Sequence, residues 1–282
     1  MTNTKPTPSR NHFEHNTDIG QNFLRDPSVV LWMTARAKLE DADRALEIGP
    51  GEGILTLGLL RTGCERVDAI ELDTRLRAKL EAIASEDSRL TLHWGDAVRF
   101  DYDKLERPPT HVIANLPYHI TTPLIWTLLE RFSGRGLRYM LLMVQKEAAD
   151  RIAAGGAARE ASPLGITLAA LGEVKVARKV PRGAFSPMPR VDSAIVEIKL
   201  SGARDGLPRD KAWRRLLSSS FAQRRKTLAN NWSALGVPRE ETVKILASHS
   251  LPPLSRSEEL TAEDWLALRG DKNLMDLLRS GN

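Results

Sequence analysis

The sequence contains one cysteine, Cys64, in 282 residues. No internal disulfide can form, which fits a reducing cytoplasm. The scarcity also excludes radical enzymes that hold an iron–sulfur cluster on three cysteines, and it leaves a cysteine-nucleophile mechanism a single candidate. Long apolar runs are missing too. Stretches such as residues 140–144 are far too short to cross a bilayer, so no membrane partner is expected. Residues 1–16 are polar without an apolar core, so no secretory signal is expected and the chain is assigned to the cytoplasm. Internal repeats and low-complexity tracts are absent. Hydrophobic residues at 41% and charged residues at 27% lie near soluble globular averages, which excludes disorder throughout. The length allows one large domain, a sizeable core and a smaller second domain.

The net charge of +5 is modest, but its distribution is uneven. Between Arg131 and Arg190 there are eleven Lys/Arg against four Asp/Glu, an excess larger than that of the whole chain. Such a segment suits a polyanion, although a solvated basic surface has the same composition.

Residues 1–16 read as a flexible arm. Asp26-Pro27 starts a helix running to about residue 39, with Asp as N-cap and Pro at the first helical position. From residue 45 strands and helices alternate. Strands are expected at 45–48, 66–70, 90–93, 111–114 and 138–144, and helices at 54–61, 74–84, 121–131 and 146–153. Segments 173–180 and 194–200 are β-rich and close together, as in a terminal hairpin. Alternation predicts an α/β, Rossmann-like, mostly parallel sheet with helices on both faces. An antiparallel last strand is how a methyltransferase sheet differs from a dehydrogenase sheet. Residues 201–208, rich in Gly, Pro and charge, read as a linker. Beyond it Trp213, Leu217, Phe221, Leu228 and Trp232 recur at helical intervals over 211–235, and further short helices follow. The expected division is thus a first domain over 17–200 and an all-helical one over 209–282.

Leu46-Glu47-Ile48-Gly49-Pro50-Gly51-Glu52-Gly53 joins a strand to a helix. Glycines at alternate positions let the backbone turn tightly and approach a ligand closely. Glu71, closing the next strand about twenty residues on, is placed to take both hydroxyls of a ribose. Asp96 ends the third strand and can accept from an adenine amino group. Read singly, each acid is an ordinary loop carboxylate; three strand ends in series match the parts of an adenosyl ligand. The Gly-x-Gly-x-x-Gly spacing of phosphate-cradling loops is absent. Glu47 would repel a pyrophosphate but suits the cationic amino group of a methionine moiety. Together these features favour S-adenosylmethionine over a nicotinamide cofactor.

Asn115-Leu116-Pro117-Tyr118 follows the fourth strand. An exocyclic amine is hard to methylate because its lone pair is delocalised into the ring. The Asn115 amide oxygen and a free Pro117 carbonyl can accept the two N–H bonds and turn that lone pair toward the methyl group. Tyr118 offers a face on which an extruded base can stack. The transfer is a direct displacement driven by positioning, so no nucleophile, strong base or metal is expected. The competing reading is a proline turn beside a core aromatic.

At these residues the sequence resembles the ribosomal RNA adenine N6-dimethyltransferases, of the KsgA/RsmA type that acts on small-subunit rRNA. The resemblance runs from about Gly20 to the C-terminal helices. Gly20-Gln21-Asn22-Phe23-Leu24 resembles the family's first cofactor segment, which implies that Asn22 and Leu24 line the cofactor with Gly49, Glu71, Asp96 and Asn115. Phe185-Ser186-Pro187-Met188-Pro189-Arg190-Val191-Asp192-Ser193 resembles the loop whose aromatic faces the target base, which makes Phe185 the partner of Tyr118. Phe221-Ala222-Gln223-Arg224-Arg225-Lys226-Thr227-Leu228 resembles the basic segment, so Arg224, Arg225 and Lys226 become rRNA contacts; their bland alternative is a solvated helix face. The resemblance implies dimethylation of two adjacent adenosines in a hairpin near the 3′ end of 16S rRNA, a role in small-subunit assembly, a 30S assembly intermediate as partner, and a monomer.

Two segments depart from the family pattern. Asn16-Thr17-Asp18-Ile19 is slightly acidic where basic residues are usual, and Ala161-Ser162-Pro163-Leu164-Gly165 replaces a Tyr-Gly-x-Leu-Ser type segment. Both are expected to border the RNA. Three other functions compete: large-subunit rRNA methylation of the macrolide-resistance type, a non-catalytic assembly or transcription factor, and a nicotinamide oxidoreductase. The Pro187–Ser193 motif and Gln223-Arg224-Arg225-Lys226 favour the small-subunit type.

Overall fold

A computed structural model describes residues 22–280. The arm, Asn16–Ile19 and the Gly20-Gln21 pair lie outside the described residues. The strands are β1 (Phe23–Leu24), β2 (Arg44–Ile48), β3 (Arg66–Glu71), β4 (Leu90–Trp94), β5 (His111–Asn115), β6 (Tyr139–Gln145), β7 (Gly172–Val180), β8 (Phe185–Ser186) and β9 (Ser193–Leu200). The helices are α1 (Pro27–Ala37), α2 (Ile54–Leu60), α3 (Arg77–Glu86), α4 (Thr121–Phe132), α5 (Lys146–Ala153), α6 (Pro163–Leu171), α7 (Lys211–Ser220), α8 (Leu228–Ser233), α9 (Arg239–Ser248), α10 (Ala262–Gly270) and α11 (Lys272–Ser280).

Seven strands form one sheet in the order β4-β3-β2-β5-β6-β9-β7. Neighbours from β4 to β6 are parallel, and β9 runs antiparallel to both β6 and β7. The expected α/β methyltransferase-type sheet is thus present. Strand residues alternate between two apolar layers: Leu46, Val112, Ala114, Met140 and Leu142 pack on one face with α4, and Ala45, Ile113, Leu141 and Met143 on the other with α1 and α2. The strand order reverses between β2 and β5. In open parallel sheets the crevice at such a reversal, outside the carboxyl ends of the strands, receives the ligand.

Two helical regions differ from the sequence reading. The first is α6, whose residues 164–168 are all buried. Apolar around its whole circumference, it lacks the polar stripe that marks a surface helix. Within segment 161–165 Ala161 is buried, Ser162 caps α6 by accepting from Gly165 N–H at 3.1 Å, and Pro163 opens the first turn, so these residues build the start of a buried helix. A Cβ on Gly165 would stand 2.7 Å from Arg151 O and 2.8 Å from Ala154 O, so the close crossing of α5 and α6 needs glycine.

The second difference is that the helical spacing over 211–235 does not make one helix. α7 stops at Ser220 and α8 starts at Leu228. Buried Asn231 stabilises the break. Its amide donates to Ser220 O (2.8 Å) and Gln223 O (3.2 Å), and its oxygen accepts from Gln223 N–H (3.2 Å). A third apolar cluster gathers Trp213, Trp232 and Trp265 with Ile166 and Ala170 of α6. Trp213 Nε1 donates to Thr167 Oγ1 at 2.9 Å, which ties α7 to the α6 beneath it.

Candidate active site

The carboxyl ends of β2, β3, β4 and β5 open into one cavity of about 270 Å³. Asn22, Leu24, Gly49, Glu71, Asp96, Asn115, Pro117 and Phe185 all line it. Residues from widely separated stretches of sequence thus meet at one place. The short ribbon of β1 and β8, which the sequence reading did not contain, completes the assembly: Leu24 pairs with Phe185 and Phe23 with Ser186. Its length of two residues carries no periodic signal.

Gly49 and Gly51, at φ +68° and +58°, adopt the left-handed conformation that the tight turn after β2 requires. A Cβ on Gly51 would sit 3.0 Å from the Phe23 ring, so Phe23 lies directly against the turn. Glu71 ends β3, where its Oε2 accepts from Gly51 N–H at 3.0 Å and its Oε1 from Asp73 N–H at 2.8 Å. Burial raises the Glu71 pKa above the ordinary carboxylate value, and the hydrogen bonds from Asp73 and Gly51 only partly offset it. Asp96 is more open; its Oδ1 accepts from Val98 N–H at 2.9 Å.

Glu47 is 1% exposed and accepts from Thr56 Oγ1 at 2.7 Å. Its pKa is pushed up to about 8, first by burial and further by the Glu71 charge, while the Thr56 hydrogen bond works in the opposite direction. Four carboxyl groups (Glu47, Glu52, Glu71 and Asp96) line the cavity, with no Lys or Arg among the described lining residues. That donor set fits a cationic ligand and disfavours a pyrophosphate. Glu52, Phe23, Leu72 and His119 also line the cavity and were not singled out as site residues. Glu52 stands inside the glycine motif and Phe23 inside the first cofactor segment, so their neighbours carried the signal.

Asn115 closes β5, half-buried, and its Nδ2 donates to the backbone carbonyl of Asn22 at 3.4 Å. With Nδ2 turned toward that carbonyl, Oδ1 remains as the acceptor. Pro117 differs from expectation. Its carbonyl is not free, but accepts from Ile120 N–H and Thr121 Oγ1, each at 3.3 Å, as the 3-10 turn Tyr118–Ile120 leads into α4. The Tyr118 side chain, expected to stack on a base, lies outside the described residues. Phe185 is 6% exposed, its ring shared between the core and the cavity wall.

The model for the family described as "Ribosomal RNA adenine dimethylase" matches residues 12–269. The chain belongs to this family. Among relatives, a protein named ribosomal RNA small subunit methyltransferase A from Rubrobacter xylanophilus is 38% identical over 252 residues, 89% of this chain and 92% of its own length. A dimethyladenosine transferase from Plasmodium falciparum superposes with a TM-score of 0.75 at 28% identity, over 90% of this chain and 98% of that one. The 23S rRNA methyltransferase ErmE superposes with a TM-score of 0.68 over 92% of this chain and 100% of its own, but at 24% identity that likeness is one of fold. Methyltransferase chemistry comes with the family, and a nicotinamide oxidoreductase is excluded.

Arg224, Arg225 and Lys226 are exposed but lie on the turn between α7 and α8, not on a helix face. They are remote in sequence from every cavity residue, and none of them lines the cavity. Arg224 differs from the other two: its Nη2 donates to Arg159 O at 2.6 Å and its guanidinium stands 5.8 Å from the Phe221 ring centre. The basic excess over 131–190 is partly neutralised from outside the segment, since Arg131 pairs with Asp103, Arg138 with Asp43 and Lys175 with Glu197. Among the described residues no helix is long and apolar enough to cross a membrane.

Proposed function

We propose that this protein transfers methyl groups from S-adenosylmethionine to N6 of two adjacent adenosines in a hairpin near the 3′ end of 16S rRNA. On this reading it acts as a cytoplasmic monomer on a 30S assembly intermediate and contributes to small-subunit assembly. The observation that carries the reading is the meeting of Asn115 and Phe185 in a cavity lined by four carboxyl groups. The relatives named as small-subunit methyltransferases, aligned over nearly their whole length, add support. ErmE, which bears on the large-subunit alternative, shares the fold at lower identity.

When bound, S-adenosylmethionine supplies a sulfonium whose methyl group is open to direct displacement. Glu71 takes the ribose hydroxyls with the lone pairs not used by Gly51 and Asp73. Asp96 accepts from the adenine amino group, Glu47 faces the methionine ammonium, and Asn22, Leu24 and Gly49 form the wall. Asn115 Oδ1 accepts one N–H of the target amine. Pro117 O accepts the other by giving up one of its two long bonds, at 3.3 Å each. Phe185 and Tyr118 hold the base between them. In this scheme residues 17–200 are the methyltransferase domain. Residues 209–282 bring Arg224, Arg225 and Lys226 to the rRNA.

The test is labelled-methyl transfer to isolated small and large subunits offered separately, followed by mapping of the modified bases. Dimethylation of two adjacent adenosines near the 3′ end is expected. Label confined to large-subunit rRNA would favour the second reading, and subunit binding without transfer would favour an assembly factor.

A further inference from the structure

Residues 22–25 form a strap beside the cavity, with Asn22, Phe23 and Leu24 in its wall. Phe23 and Leu24 pair with Ser186 and Phe185, and Arg25 N–H and Asp26 N–H both donate to Ala184 O, at 2.8 and 3.3 Å. A two-stranded pairing of this length is marginal by itself, and burial of Phe23, Leu24 and Phe185 in the apolar core adds to its hold. Yet the strap carries the Asn22 carbonyl that receives the Asn115 amide at 3.4 Å, a distance at which a shift of a few tenths of an ångström removes the bond.

A side-chain clamp ties the strap to the glycine turn as well. Arg25 Nη1 and Nη2 donate to Glu52 Oε2 and Oε1 at 2.6 and 3.0 Å, a bidentate pair across 27 positions of sequence. Lys79 Nζ, from α3, reaches Glu52 Oε2 at 3.1 Å. Burial would raise the Glu52 pKa, but the hydrogen bonds from Arg25 and Lys79 outweigh it and hold the carboxyl below its ordinary value. Glu52 stands on the turn that shapes the cavity, so the clamp joins the strap to that turn.

We propose that Arg25 and Glu52 are a positioning pair that locks residues 22–25 beside the cavity and so keeps the Asn115 amide in the orientation that receives the target amine. The proposal rests on the reading of Asn115 given above. Neither residue touches the reacting atoms; both act through Asn22 and Phe23.

The experiment compares wild type with Arg25→Gln, Arg25→Lys, Glu52→Gln and the double Gln variant. Three readouts are taken: single-turnover methyl transfer to small subunits, S-adenosylmethionine affinity by calorimetry, and hydrogen exchange of the peptide containing residues 22–26. In Arg25→Gln the transfer rate is expected to fall by about three- to tenfold and exchange to accelerate by a similar factor, with a smaller change in affinity. Arg25→Lys recovers part of both. The double variant is no slower than the slower single variant, because a pair broken once cannot be broken again. High salt brings wild type toward Arg25→Gln, since Arg25 is half exposed. Unchanged exchange and rate in Arg25→Gln, or additive losses in the double variant, overturn the clamp. A wild-type protein that transfers no methyl group overturns the assigned function, while the exchange comparison still decides the clamp.

Discussion

The Glu71 carboxylate accepts from the backbone N–H of Gly51 at 3.0 Å, twenty positions earlier in the chain. The acid assigned to the ribose therefore also shapes the glycine turn beside it. Ligand affinity and local structure are coupled through one side chain.

Glu71→Ala is accordingly expected to weaken S-adenosylmethionine binding by about tenfold or more, since a charge-assisted hydrogen bond is worth about 1.5–3 kcal/mol. It should also lower the melting temperature without ligand, because Gly51 and Asp73 lose a buried acceptor. Titration calorimetry and a thermal scan measure the two effects. Wild-type affinity in the variant would place the adenosyl group elsewhere.

Asn115→Ala should leave the fold intact and most cofactor affinity in place, while single-turnover transfer falls by about a hundredfold or more. The missing oxygen acts on the target amine chiefly in the transition state. Unchanged single-turnover methylation would falsify the role of this amide.

The pKa of Glu47, about 8 in the folded protein against 4.5 for an unburied carboxyl, predicts a pH effect with a definite sign. Between these values the folded protein holds a proton that the unfolded chain has released, so this group's contribution to stability declines as pH rises through that window. Glu47→Gln should therefore raise the melting temperature of the free protein at about pH 8–9, with the gain shrinking toward about pH 5. Thr56, which donates to Glu47, and Glu71, whose charge opposes its ionisation, are the groups facing it. A cationic ligand should expel the proton. Calorimetry near neutral pH in buffers of different ionisation enthalpy should show proton release in wild type and less in Glu47→Gln. Equal release in both would leave Glu47 out of the binding site.

The basic turn divides into two roles that separate variants can tell apart. Arg225→Gln and Lys226→Gln should each flatten the dependence of log affinity for small subunits on log salt, by roughly 0.7–0.9 for each phosphate that the variant no longer neutralises. Arg224→Gln should in addition speed hydrogen exchange around Arg159, because it removes the 2.6 Å bond to that carbonyl. S-adenosylmethionine affinity should not change in any of the three. A filter-binding series over several salt concentrations reads the slope. A slope equal to wild type in all three variants would make the turn a solvated surface.

Much of the architecture is written in local pattern. Alternating strands and helices, the capping pair Asp26-Pro27 and the glycine turn after β2 depend on periodicity and backbone chemistry confined to a few neighbouring residues. Glu71, Asp96 and Asn115 were legible for the same reason, since each ends or closely follows a strand whose direction the alternation sets. Other features depended on partners remote in sequence. The β1–β8 ribbon is two residues long on each side and exists because Leu24 and Phe185, far apart in sequence, meet at the cavity wall. α6 is apolar all round because it lies between the sheet and the C-terminal helices, so no amphipathic stripe marked it. The break before α8 required Asn231 to satisfy two carbonyls and one N–H at once. Whether the Pro117 carbonyl was free depended on where the chain turned after it. Sequence pattern thus determined which groups stand at the strand ends, because strand periodicity is local. Tertiary packing decided which of their atoms remain available, because a hydrogen-bond partner can come from anywhere in the chain.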